Sequence, residues 1–146
     1  MDARRRKLTS ALLLAFAAWD LVLAAVALLL PDLWFRLFHG VPRVDPQALL
    51  ARTGALWLAF ALFHFIAWRR WSRAPYWLVL VGGMRLGEIF ADPAYALLAS
   101  DVTTAGRIGL IGAAVVNLVV ALFFVRGFLR ETAPSRPPAA AARVAA

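Results

Sequence analysis

PYWLVLVGGMRLGEIFADPAYALL, residues 75–98, decides the reading of this chain. The stretch is long enough to cross a ~30 Å hydrocarbon core as one helix. It also carries Arg85, Glu88 and Asp92. Their spacing of three and then four places them on one face, within an arc of roughly 60°. An ionisable group near a bilayer centre costs about 3 kcal/mol even on a lenient insertion scale. Such a stripe therefore needs partners from other helices.

Those helices are visible as three further apolar runs, at about residues 8–30, 47–68 and 105–129. With the run at 75–98 they predict an all-α, polytopic membrane protein, a four-transmembrane-helix bundle over residues 1–130. Of its residues 63% are hydrophobic and 16% charged, well below the ~25% charged of soluble domains. The short alternating strands of a membrane barrel are missing from the pattern. Residues 131–146, rich in proline and alanine, read as a disordered cytoplasmic tail.

Net charge is +8, and its distribution matters more than its size. Arg4, Arg5, Arg6 and Lys7 precede the first run, Arg69, Arg70 and Arg73 follow the second, and Arg126, Arg130, Arg136 and Arg143 close the fourth. The opposite connections hold only Arg36 and Arg43, with Arg107 at the start of the fourth run. The positive-inside rule then predicts cytoplasmic N- and C-termini. The basic balance is a topology signal with some attraction to lipid headgroups, so membrane lipids are the expected partners and nucleic acid is not. The basic start and Ala15-Phe16-Ala17 resemble a signal peptide, but the apolar run continues to Leu30, beyond a 7–15-residue h-region. An uncleaved first span is expected.

Several chemistries are excluded. With no cysteine there are no disulfides and no thiolate metal sites. Gly82-Gly83 lacks a preceding strand and a Walker lysine, so a phosphate loop is ruled out. No Ser-His-Asp or metalloprotease pattern occurs. His39 and His64 fall at opposite ends by residue count, and His64 reads as a packed or interfacial residue, far in height from Glu88 and Asp92. No cofactor or metal is expected. No internal repeat supports an inverted-repeat transporter within one chain.

Prolines punctuate the connections. Pro31 closes the first span, and Asp32 is expected to cap a short outer interfacial helix, Leu33 to Phe38, ended by Gly40. Asp45-Pro46 reads as N-cap and first residue of the second span, and Pro75 as first residue of the third. Asp92-Pro93 allows two readings: a cap for a second short helix, Ala94–Ala99, or a kink within the third span. Trp68, Trp71, Tyr76 and Trp77 mark one interface and Trp34 and Tyr95 the other, whereas Trp19 and Trp57 fall inside their spans.

The interior candidates are Asp20, Arg52, Trp57, Arg85, Glu88, Asp92 and Asn117. Asp20 shares a stripe with Ala17, Ala24 and Ala27, and Asn117 one with Gly106, Leu110, Ala113 and Ala121; small residues point such faces inward. Gly83-x-x-x-Gly87, opposite the charged stripe, offers a surface for a neighbouring helix or a homodimer. Counting rise per residue puts Asp20 and Glu88 both roughly 15 Å from the outer end. The expected pairs are Asp20 with Arg85 and Arg52 with Glu88 or Asp92, with Arg107 balancing the remaining acid. A fully paired network would fix helix register; a surplus carboxyl would suit proton-coupled transport or acid–base chemistry.

The runs Leu28-Leu29-Leu30-Pro31, Leu37-Phe38-His39-Gly40 and Arg52-Thr53-Gly54-Ala55, with Arg85-Leu86-Gly87, resemble small bacterial four-helix membrane proteins of unassigned function, DoxX-like in character. Glu88 lies outside that pattern. The resemblance implies the fold and an inner-membrane location and supplies no activity. The reading favours a binding or accessory role over catalysis: a small amphiphilic or anionic ligand anchored by Arg52 and Arg85, its apolar part against Trp57 and Trp19. The alternatives are a proton-coupled transporter acting as an oligomer and a purely structural subunit.

Overall fold

The computed structural model describes residues 2–133, and these form five helices: α1 (Ala3–Leu29), α2 (Pro31–Phe38), α3 (Leu49–Arg70), α4 (Tyr76–Leu98) and α5 (Thr104–Thr132). No strand occurs among the described residues. Three helices, α1, α3 and α5, are long and apolar enough to cross a membrane. Within their most apolar 18-residue windows only 22–28% of residues are buried by protein. Their outward faces expose Leu21, Val22, Ile108, Val115, Val116 and Val119, surface that water would penalise heavily. In α4, every 18-residue stretch contains Arg85, Glu88 and Asp92, which sets it apart from the other three.

The long helices pack as two intimate pairs, α1 with α3 and α4 with α5, and α3 meets α4 more sparingly. Both pairs are antiparallel. Ser10 Oγ near the start of α1 receives the Trp71 indole N–H at 3.2 Å, while Gly54 near the start of α3 sits on Ala27 and Leu28 near the end of α1. A Cβ on Gly54 would stand 2.9 Å from Leu28 Cγ, so glycine is what lets these two backbones close. In the second pair Gly82 faces Ala121 and Phe124, and Gly127 faces Leu78. Among the described residues, Gly83 and Gly87 have nothing within 4 Å of their Cβ positions. The glycine that packs α4 on α5 is thus Gly82, and the Gly83/Gly87 face stays open.

The helix ends are set locally. Asp2 caps α1 by accepting the Arg5 N–H at 2.8 Å, and Thr103 caps α5 by accepting that of Gly106 at 3.0 Å. Pro31 is the first residue of α2, so Asp32 lies in its first turn and is not its cap. Gly40 follows α2 at φ +66°, the left-handed conformation that ends helices. Asp45 and Pro46 lie before α3 rather than at its first positions. The chain makes an extra turn with Ala48 at φ +53°, and the Asp45 carboxylate still caps the helix by accepting from Leu49 N at 2.8 Å and Leu50 N at 3.2 Å. Pro75 directly precedes α4, which starts at Tyr76.

Asp92-Pro93 does not open a new helix. α4 runs through it to Leu98, so the separate helix at Ala94–Ala99 does not form. Pro93 has no N–H for the Ile89 carbonyl, and the helix absorbs the missing bond. Glu131 and Thr132, assigned to a tail from the sequence, belong to α5 and Ala133 is its C-cap; residues 134–146 lie outside the described residues. α1 and α5 each reach beyond their apolar runs at the arginine-rich end, where Arg6 pairs with Glu131 at 3.2 Å.

At the opposite end α2 is fastened across the two pairs. Its Phe38 carbonyl accepts the Thr103 N–H at 2.8 Å, Thr103 Oγ1 donates to Leu37 O at 3.2 Å, and Gly106 packs beneath the same strand of backbone. Trp34 stacks on Phe38 at 4.2 Å and lies 5.1 Å from Trp57 of α3.

Candidate functional site

Three polar side chains from three helices meet at the centre. Asp20 of α1 and His64 of α3 are fully buried and Arg85 of α4 is 3% exposed. The Arg85 guanidinium is ion-paired through Nη2 to Asp20 Oδ2, while its Nε–H points to His64 Nε2 at 3.4 Å. His64 Nδ1 lies 2.8 Å from the Phe60 carbonyl, one turn back on its own helix, and 3.3 Å from Asp20 Oδ2. With Nδ1 protonated toward that carbonyl, Nε2 is free to accept from arginine. The guanidinium also lies over the Phe16 ring at 4.5 Å, and the His64 ring stacks on Phe16 at 5.9 Å.

The Asp20–Arg85 pair is the one read from the sequence. His64 is the residue sequence reasoning missed. By residue count His64 falls nearer the arginine end of its helix than Asp20 and Arg85 do of theirs, yet the Arg85 side chain meets its ring. The signal was present in the chain: Trp57 and His64 share one face of α3, both buried.

The other expected pairs do not form. Arg52 is exposed and makes no ion pair among the described residues. Arg107 turns its guanidinium to the Ala99 and Val102 carbonyls at 3.3 and 3.4 Å. Asn117 is buried on α5 with Gly106 and Ala121, as its stripe predicts, yet no hydrogen bond joins it to the central cluster among the described residues. The neutral network of three acids and three arginines therefore reduces to one pair with a histidine.

Glu88 and Asp92 are left without an ion pair among the described residues, and both face a cavity of about 530 Å³. The cavity lies between the helix pairs at the α2 end, one turn from Arg85 along α4. Trp57 forms part of its wall, which it shares with Glu88. Phe35, Leu50 and Leu56 give it apolar surface. Asp45 and Asp101 also line it, and among the described residues no arginine or lysine does. Arg52 and Arg85, expected as anchors, are outside the lining, and Trp19 faces outward at 57% exposure. His39 completes the wall: its Nε2 meets the Tyr95 hydroxyl at 3.0 Å and its Nδ1 stands 3.5 Å from Asp101 Oδ1, joining the end of α2 to α4 and to the turn before α5.

Chemically the arrangement divides into two parts. A buried ion pair sits deep, made through Asp20 Oδ2 while Oδ1 has no hydrogen-bond partner among the described residues, and an acidic, aromatic-walled cavity opens beside it. No group of three or more metal-ligating side chains is close enough to hold a metal among the described residues. No family model, no curated protein and no solved structure matches the chain.

Proposed function

We propose that this chain is an integral membrane protein that binds a small amphiphile with a cationic head in the cavity at the α2 end. In this reading all four long helices cross the bilayer as a bundle, with α2 at the interface and the arginine-rich end on the cytoplasmic side of a bacterial inner membrane. α4 enters despite its charges because Asp20 neutralises Arg85, and Glu88 and Asp92 border a polar cavity rather than acyl chains. The observation that carries the reading is that two carboxylates, without ion pairs among the described residues, face one cavity whose described lining holds no arginine or lysine. An ammonium group there gains charge-assisted hydrogen bonds, and its alkyl portion lies against Trp57, Phe35 and Leu50. The anionic head considered from sequence alone finds no counter-charge in that lining.

The test begins with resistance of the membrane-bound chain to alkaline extraction. The purified protein in lipid discs is then titrated with a long-chain alkylamine, the matched fatty acid and the matched alcohol, reading retained ligand by native mass spectrometry and quenching of Trp57 against a Trp57→Phe control. The amine is expected to bind at least tenfold more tightly than the other two, and Glu88→Gln with Asp92→Asn to abolish the preference. Equal binding of the fatty acid would sink the proposal.

A proton-coupled carrier is the second reading, favoured by the position of Glu88 one turn from the buried Asp20–His64–Arg85 cluster. It requires proton-linked amine flux in proteoliposomes that Glu88→Gln stops, and the open Gly83/Gly87 face supplies a surface for the second copy such a carrier would use.

A further inference from the structure

The arginine-rich end holds a second concavity, of about 700 Å³, between the start of α1 and the last turns of α5. Its floor is apolar: Leu8 from α1 and Val119, Leu122 and Phe123 from α5. Its rim is basic: Arg4 and Arg5 on one side, Arg126 and Arg130 on the other. The neighbouring Arg6 is not part of it, being committed to Glu131 and to the Trp71 ring, 5.5 Å from its guanidinium. Arg4, Arg126 and Arg130 make no ion pair among the described residues, and Arg5 has only exposed Asp2 at 3.8 Å. Four guanidinium groups thus border one groove with a single carboxylate among them. The groove exists because α1 and α5 belong to different helix pairs and their backbones stay apart along this length.

We infer that this groove is a binding site for an anionic phospholipid, the rim arginines holding the phosphate and the apolar floor receiving an acyl chain. The shape and the charge point to the same occupant. A soluble anion uses the rim but leaves the floor exposed, and a zwitterionic lipid brings an ammonium that the arginines repel. Guanidinium groups bind phosphate in bidentate fashion, and basic pockets between membrane helices near the cytoplasmic face suit such headgroups. The inference rests on the membrane-embedded reading above. A chain that alkaline extraction releases from membranes would remove that reading, whereas lipid-blind binding by membrane-retained protein removes this site alone.

The experiment uses the full chain extracted in mild detergent, titrated with phosphatidylglycerol or phosphatidylcholine and followed by native mass spectrometry. Phosphatidylglycerol should be retained through detergent exchange and phosphatidylcholine lost. Replacing two rim arginines (Arg126→Gln with Arg130→Gln) should weaken phosphatidylglycerol binding by roughly tenfold or more. Arg69→Gln with Arg70→Gln removes equal charge from the same end outside the groove and should leave binding within about twofold. Equal loss in both double variants would reduce the effect to general surface charge and overturn the site. Displacement of the lipid by millimolar glycerol phosphate would overturn it too, since the floor would then contribute nothing.

Discussion

Asp20 and Arg85 neutralise each other where neither side chain reaches solvent, so each is costly without the other. Arg85→Met strands a buried carboxylate and Asp20→Leu a buried guanidinium, and each is expected to destabilise the fold by about 3–5 kcal/mol. The double variant exchanges a pair for apolar packing and should recover most of that loss, a coupling well beyond simple additivity. Thermal unfolding of the four proteins in one detergent measures it. An additive double variant would mean the two residues do not depend on each other. This pair was legible from sequence because α1 and α4 run to comparable depth and opposite charges at one depth find each other. Depth alone pairs Arg52 with Glu88 or Asp92, and among the described residues that pair does not form. Rise per residue fixes height, whereas the rotation of each helix about its axis is fixed by packing, and Gly54 and Trp57 turn α3 so that Arg52 faces outward.

Among the helices, glycines record which faces must touch. A Cβ on Gly106 would stand 2.8 Å from the Phe38 carbonyl oxygen, a backbone atom that cannot step aside. Gly106→Ala should therefore push α2 away from α5 and cost about 1–3 kcal/mol. Gly83→Ala meets open space and should change stability by no more than about 1 kcal/mol, with the helix-propensity gain of alanine in its favour. Hydrogen exchange across residues 31–40 tells the two apart: faster exchange in the first variant alone is the expected result, and parallel behaviour would count against the α2 fastening. Helix existence and order were readable from hydropathy. The ends were not, because Asp45 caps α3 from four residues away and α4 continues through Pro93, so neither turn signal falls at the helix boundary it suggests.

Across the whole molecule the polar residues sort by depth into three separate sites. The ion pair is buried in the middle, the acidic cavity opens toward α2, and the basic groove lies between the far ends of α1 and α5. Composition alone merges these into a count of charges with a net of +8. Only the pairing of α1 with α3 and of α4 with α5 separates them, since the cavity and the groove both lie in the seams between pairs. That long-range choice of neighbours is invisible to a reading made helix by helix.

The joining of the two pairs through Asp20 and Arg85 bears on how the chain is made. α1 to α3 leave the ribosome first and can associate at once, carrying Asp20 into place before Arg85 has been synthesised. On the proposed reading, in which α4 also spans the bilayer, its three ionisable residues make it a poor candidate for insertion alone, while an apolar α5 favours entry of the two as a hairpin. On that reading Asp20 is expected to act as a docking mark that holds the late hairpin in the correct rotation. In a cell-free translation system with glycosylation acceptors at the helix ends, α4 by itself should fail to integrate, α4–α5 should integrate partially, and the full chain completely. Asp20→Leu should return the full chain to the partial level. Full integration of α4 in isolation would show that the late half needs no partner in order to enter.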